Sequence, residues 1–357
     1  SPSLYGQNSE GEAVEAAIKV CYKSFKSNKK NILFSNKSYH GKLIGSGSIS
    51  GSYKKNNQFP KMENCRSFNF NDQIDLENKI KKYDNEGGVY CVIIEPYSAS
   101  LLDSCSDLFI KKLFELKKKY NFKIIFDEVF TGFFKSKKMF YFQNFANISP
   151  DIICLSKTLG GGKSSISCLV IDDKTYDEAY GKISDTFLHT TTYNGFGEES
   201  VTALAALNIL SENEFIKKVE HLSELLKSKL KELKIKHSTK IQEIKGNGIL
   251  NGIIFKSYPS SIGNFLEKIP SEFIKDRSFF LKKLTATAIS CELYKNFNIL
   301  TSINDSSFSN HLCISPSLVI KDAEVDYFFD SLDKTLTADL NLKSVELIFN
   351  FIKSKLK

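Results

Sequence analysis

The feature that most constrains this chain is an alternation running through its first two-thirds, in which short, almost wholly apolar runs are separated by stretches of helical period. NILFS (31–35), VYCVIIE (89–95), KIIFD (123–127), IICLS (152–156) and ISCLVI (166–171) read as strands. Residues 12–28, 107–120, 198–211 and 214–234 read as helices. Strands apolar on both faces belong in a sheet covered on both sides, because a sheet with one wet face would alternate polar and apolar positions. The expected class is α/β, a mainly parallel sheet sandwiched by helices. From about 240 the texture changes: GILNGIIF (248–255), a helix near 278–296, LCISPSLVI (312–320), a helix near 322–335 and an amphipathic 341–355 point to a smaller C-terminal α+β domain. The chain therefore divides into 1–240 and 241–357, with 256–276 its loosest stretch.

Composition excludes several classes. Within 357 residues, no apolar run approaches the roughly 20 residues of a membrane-spanning helix, so no membrane partner is expected. The formal charge of +8 comes from scattered lysines, with only Arg66 and Arg277 as arginines and no aromatic–basic interleaving, which argues against nucleic acid. Eight cysteines form no CxxC pair and several sit in apolar strands, as in a reduced, cytoplasmic protein. Five scattered histidines have no metal-ligand spacing, and no metal is expected. The opening Ser1-Pro2-Ser3 reads as a fragment or a trimmed product. Two glycine-rich decoys fail on spacing: GSGSISG (45–51) has Ser50 where a dinucleotide loop needs glycine, and GGGKSS (160–165) has Lys157 where a P-loop needs one.

Two segments carry chemistry. In KIIFDEVFTGF (123–133) an apolar strand ends in Asp127 and Glu128, at the strand end where open α/β sheets bind ligands. A helix cap or a solvated strand end is the plainer alternative. In PDIICLSKTLGGG (150–162) a second strand leads to Lys157 and three glycines that let backbone approach a ligand. A lysine in a desolvated pocket loses its proton readily and attacks aldehydes.

Together these segments resemble the signature of class III aminotransferases, fold type I enzymes that use pyridoxal 5'-phosphate (PLP). Further segments match in the family's order: NSxxEAVEAAIK (8–19), YHGK (39–42), VIIEP (92–96), FLHTTTYNG (187–195) and SPSLVI (315–320). The resemblance implies a homodimer acting on small-molecule amines and carbonyls, including carrier-tethered ones. It implies that Lys157 is the Schiff-base lysine and that Asp127 pairs with the pyridine nitrogen. Val129 would pack under the ring, Tyr39 would stack on its other face, His40 would be structural, and Glu95 would stand behind the cofactor. Thr192 would bind phosphate across the dimer interface. Ser9, Glu10 and Gly11 would supply the helix start that favours phosphate.

The chain departs from the family at several of these places. The phosphate turn, usually Ser-Gly-Thr/Ser-Glu, reads Ser9-Glu10-Gly11-Glu12, so a carboxylate stands beside an expected dianion. Phe130 replaces a glutamine that contacts the cofactor's phenolic oxygen, a change aminomutase-like relatives tolerate. Cys313 replaces the arginine that holds a substrate α-carboxylate, and Ser100 replaces its usual glutamate partner. Lys135 and Lys245 stand where relatives often carry arginine. Phe196-Gly197 replaces Asn-Pro, and relatives carry roughly a hundred further residues ahead of this start. The expected activity is transamination of an amine distal to any carboxylate, an amino sugar or a carrier-tethered group. The alternatives are an aminomutase, epimerase or decarboxylase of the same fold, or a catalytically degenerate homologue kept for binding or dimerisation.

Overall fold

The computed structural model describes residues 3–26, 28–51, 58–185, 187–256, 277–304 and 309–355. Nearly all of the loose stretch, 257–276, lies outside the described residues. The chain separates into two compact units, Ser1–Lys217 and Lys218–Lys357.

The first unit is built on a seven-stranded sheet of β1 (Ser3–Gln7), β2 (Asn31–Ser35), β3 (Cys65–Phe68), β4 (Val89–Ile94), β7 (Lys123–Asp127), β8 (Ile152–Leu155) and β9 (Ser167–Ile171). A two-residue ladder, β5 (Tyr97–Ser98) with β6 (Asp103–Ser104), stands apart. The sheet order is β1-β9-β8-β7-β4-β2-β3. Strands β3, β2, β4, β7 and β8 run parallel, while β9 is antiparallel to both of its neighbours, β8 and the edge strand β1. The near-continuous apolar runs foretold a sheet covered on both faces, and two cores lie there. On one face Ile125, Ile152 and Cys154 pack with Val14, Ala17, Ile18 and Cys21 of α1 (Glu10–Ser24). On the other, Ile124 and Phe126 pack with Leu76 and Ile80 of α3 (Gln73–Asn85) and Phe109 and Leu113 of α4 (Asp107–Tyr120). The decoy at 45–51 is largely a short helix, α2 (Ile44–Ser48).

Helix α1 starts two residues earlier than its apolar period suggests, because the Glu12 carboxylate accepts the Asn8 and Ser9 N–H groups, each at 2.9 Å, and caps the turn. Strand β3, helix α3 and helix α5 (Asp173–Tyr180) were not anticipated. In β3, CRSF has one fully buried position, and α5, DKTYDEAY, is mostly charged, so neither shows a strong apolar pattern. Helices α6 (Gly197–Leu210) and α7 (Asn213–Lys236) follow.

In the second unit, β10 (Ile241–Asn247), β11 (Leu250–Phe255), β12 (Ser302–Ile303) and β13 (Leu312–Ile314) form an antiparallel sheet in the order β10-β11-β13-β12. Its helices are α8 (Arg277–Phe297), α9 (Asp322–Thr337) and α10 (Leu340–Lys355). Ion pairs tie the later turns of α7 to α9: Lys229–Asp326 and Lys236–Asp333, both 2.7 Å. These place the division inside α7, whereas 240/241 marks the change of sequence texture. Strand β13 stops at Ile314, ahead of Pro316, so only the start of LCISPSLVI is strand. Among the described residues no helix is long and apolar enough to cross a membrane.

Candidate active site

The carboxyl ends of β7 and β8 lie side by side, with Asp127 paired to Cys154 in register. Asp127 closes β7 and Lys157 lies just beyond β8, so the sheet brings both to one edge. The Lys157 ammonium reaches Glu10 of α1, the helix on which Ile125 of β7 packs. Burial lifts the Cys154 thiol well above its ordinary range, and the nearby Asp127 and Glu10 carboxylates push the same way. Glu10 in turn is ion-paired with the Lys157 ammonium.

The Asp127 end is buried and heavily hydrogen-bonded. Its side chain is 4% exposed and that of His40 is 0% exposed, with Nδ1 of His40 2.7 Å from Oδ2. A carboxylate has no proton to give, so Nδ1 is the donor. His40 Nε2 is buried without a partner. The other oxygen, Oδ1, accepts the Val129 N–H at 3.1 Å, which fixes the carboxylate's direction. His40 was expected to be structural; here it is the residue that aims Asp127. Behind it, Glu95 accepts the Tyr39 and Ala99 N–H groups at 3.0 and 3.1 Å. Burial pushes Glu95 up to about 7, against the pull of His40. Gly41, after His40, has φ +120°, and a Cβ there would meet Ser46 Oγ at 2.9 Å, so only glycine fits this turn.

Glu128, adjacent to Asp127, has another duty. Its carboxylate accepts the Thr131 hydroxyl and the Tyr141 and Phe142 N–H groups, the last two at 2.9 and 2.7 Å. It thereby holds the segment 131–142, in which Phe133, Phe134 and Lys137 all have positive φ. Burial pushes Glu128 up to about 7 as well, although its three donors oppose the rise.

The Lys157 end is open, and here the structure differs from the desolvated lysine expected from sequence. The side chain is 45% exposed and its partner Glu10 is 23% exposed. Its Nζ lies 5.8 Å from the centre of the half-buried Phe130 ring. The Lys157 backbone is left-handed at φ +48°, an unfavourable conformation for a residue with a Cβ. Lys135 is close by: burial, and then the charge of Lys157, hold its ammonium below the usual range. Gly161, with φ +59°, ends the turn after Lys157, and a Cβ there would meet Ala206 of α6 at 3.2 Å.

Ser9, Glu10 and Gly11 do form the start of α1, although Glu12 already occupies the Ser9 N–H. Thr192 lies in an exposed turn that carries Phe187 and Tyr193, both more than 60% exposed. Ser100 is buried. Lys245, Gly252, Cys313 and Ser302 lie in one cross-strand row of the second unit's sheet. Among the described residues no group of three or more His, Cys, Asp or Glu could hold a metal ion.

These residues meet two needs of a PLP-type group. Asp127 keeps lone pairs for a ring N–H in a buried, oriented setting, and Lys157 offers a primary amine just beyond the end of the neighbouring strand. The anion end fits less closely, since Glu10 adds a negative charge at the helix start.

The class-III aminotransferase family model matches residues 4–336. The chain is 27% identical over 367 residues to the taurine–pyruvate aminotransferase of Bilophila wadsworthia, covering 94% of this chain and 75% of that one. It is 28% identical over 345 residues to the acetylornithine/succinyldiaminopimelate aminotransferase of Buchnera aphidicola, covering 94% and 74%. Among solved structures, a transaminase from the marine bacterium Virgibacillus superposes with a TM-score of 0.79 at 19% identity, covering 97% of this chain and 76% of that one. The ornithine aminotransferase of Toxoplasma gondii gives 0.75 at 22%, covering 94% and 72%. The chain belongs to the class III aminotransferases, PLP-dependent transaminases of fold type I.

Proposed function

We propose that Lys157 is the amine that holds the cofactor's aldehyde carbon and carries protons during transamination, and that Asp127 is the counter-ion of the cofactor's ring nitrogen. The observation that carries this reading is that Asp127 closes β7 while Lys157 opens the turn just beyond β8, the adjacent parallel strand. PLP, when bound, supplies an electron sink for the carbon bearing the transferred amine. Asp127, aimed by His40 and the Val129 N–H, keeps a proton on the ring nitrogen. Val129 and Tyr39 would enclose the two ring faces, Phe130 would shield the lysine side, and the Gly11 N–H and Ser9 would attend the phosphate. Glu95, lifted to about 7, adds less negative charge behind Asp127 than an ordinary carboxylate would at neutral pH. Nζ of Lys157 takes the proton from the substrate's amine-bearing carbon and returns it on the other side of the exchange.

The amine donor is one whose amino group is remote from any α-carboxylate. Cys313 stands where a guanidinium would clamp that carboxylate, and a thiol cannot reproduce a bidentate charged contact. Relatives named for taurine and acetylornithine accord with this class. The protein works as a homodimer in which Thr192 reaches the partner's phosphate: Thr192 is exposed, and α6 presents Val201, Leu204 and Ile209 to solvent. Eight free cysteines favour a reducing, cytoplasmic setting. The test is a visible absorbance band on adding PLP that Lys157→Ala lacks. Single turnovers with a panel of ω-amines and α-amino acids then show which donors leave their nitrogen on the cofactor. An unchanged band in Lys157→Ala overturns the reading.

A further inference from the structure

Glu10 is the residue that neither the family pattern nor the proposed reaction requires, and it touches the reaction's central amine. It occupies the first turn of α1, where backbone N–H groups and the helix dipole favour an anion. Its carboxylate is ion-paired with Nζ of Lys157, a residue 147 positions away. A second cationic side chain, Lys135, is near enough to Lys157 to feel its charge. The neighbouring acid Glu12 is differently employed, capping the Asn8 and Ser9 N–H groups.

We infer that Glu10 is an internal stand-in for the cofactor's anionic group. It holds the Lys157 ammonium at the first turn of α1 and must withdraw when the phosphate arrives. The inference rests on the reading of Lys157 and the α1 start as the cofactor site. Binding is then an exchange of anions: the arriving dianion meets the charge of Glu10 unless that side chain turns away to solvent, which its partial exposure permits. Glu10 thus sets how tightly the chain retains PLP, and it discriminates between phosphorylated and unphosphorylated forms of the same aldehyde. The penalty falls on the phosphate, so pyridoxal is handicapped much less than PLP.

The experiment is a titration of full-length apoprotein with PLP and with pyridoxal, followed by the visible band of the bound aldehyde, for wild type, Glu10→Gln, Glu12→Gln and Lys157→Ala. Loss of one like charge beside a partly exposed dianion tightens PLP by about tenfold in Glu10→Gln, with a clearly smaller gain for pyridoxal. Glu12→Gln loosens the helix cap, lowers the melting temperature and tightens neither ligand. An unchanged or weaker PLP affinity in Glu10→Gln, or equal gains for both aldehydes, overturns the inference while leaving the lysine assignment standing. A band that survives in Lys157→Ala overturns the assignment itself, and the inference with it.

Discussion

The two ends of the candidate site are made differently. At the Asp127 end, the acids and the backbone around them are matched before any ligand is present: His40 on Asp127, two N–H groups on Glu95, three donors on Glu128. At the Lys157 end, the amine is half-exposed and held by a carboxylate, and Thr192 lies in an open turn. One end is assembled by folding. The other leaves an ion pair partly open to solvent. Preorganised dipoles are most useful where charge must stay fixed, whereas the amine, in the proposed reaction, changes partners during each turnover.

Substitutions at the two ends should therefore separate activity from stability. Lys157→Ala should lower transamination by at least about 10³-fold, since it removes the proposed nucleophile and proton carrier, yet leave the melting temperature nearly unchanged. A melting transition that collapses with it would erase the contrast. Asp127→Ala should lower activity by about 10²-fold and also destabilise the fold by roughly 1–3 kcal/mol, because the His40 ring nitrogen loses its acceptor in the core. Glu128→Ala should act through stability: three donors lose their acceptor, about 3–5 kcal/mol in denaturant unfolding, with cofactor absorbance retained in the folded fraction.

The smallest effect is a pH dependence at Glu95. Burial lifts this group from the ordinary 4.5 to about 7, so the folded state keeps a proton that the unfolded chain releases. Its contribution is complete below about pH 4.5 and is lost as pH rises through about 7, on the order of 3 kcal/mol. Unfolding free energies of the apoprotein at pH 5 and pH 8 should differ less in Glu95→Gln than in wild type. An identical pH slope in the two proteins would show that Glu95 is ionised throughout.

Elements with a strong apolar signal were readable from sequence alone. NILFS and KIIFD occupy β2 and β7 residue for residue, because each is buried at every position. Strand β1 at the sheet's edge, SLYGQ, was not foreseen, nor were weakly apolar β3 and charged α5. Asp127 and Lys157 stood out because each follows a buried strand directly. Their partners did not: His40 lies 87 positions from Asp127 and Glu10 lies 147 from Lys157, and only the folded sheet brings them together. The exposure of Lys157 was hidden for the same reason, since the apolar residues before it belong to β8 and bury themselves in the sheet rather than around the amine.

The alternation along β7 has one more consequence. Ile125 and Asp127 look toward α1, while Ile124, Phe126 and the acid after them serve the opposite layer. Two consecutive carboxylates are thus kept in separate trades, proposed counter-ion and fastener, by nothing more than the two-residue rhythm of an extended chain. A slip of β7 by a single step between its neighbours would hand each acid the other's job. A one-residue deletion in Lys123–Asp127 is for this protein a frameshift in space, silencing the chemistry even where every catalytic side chain survives.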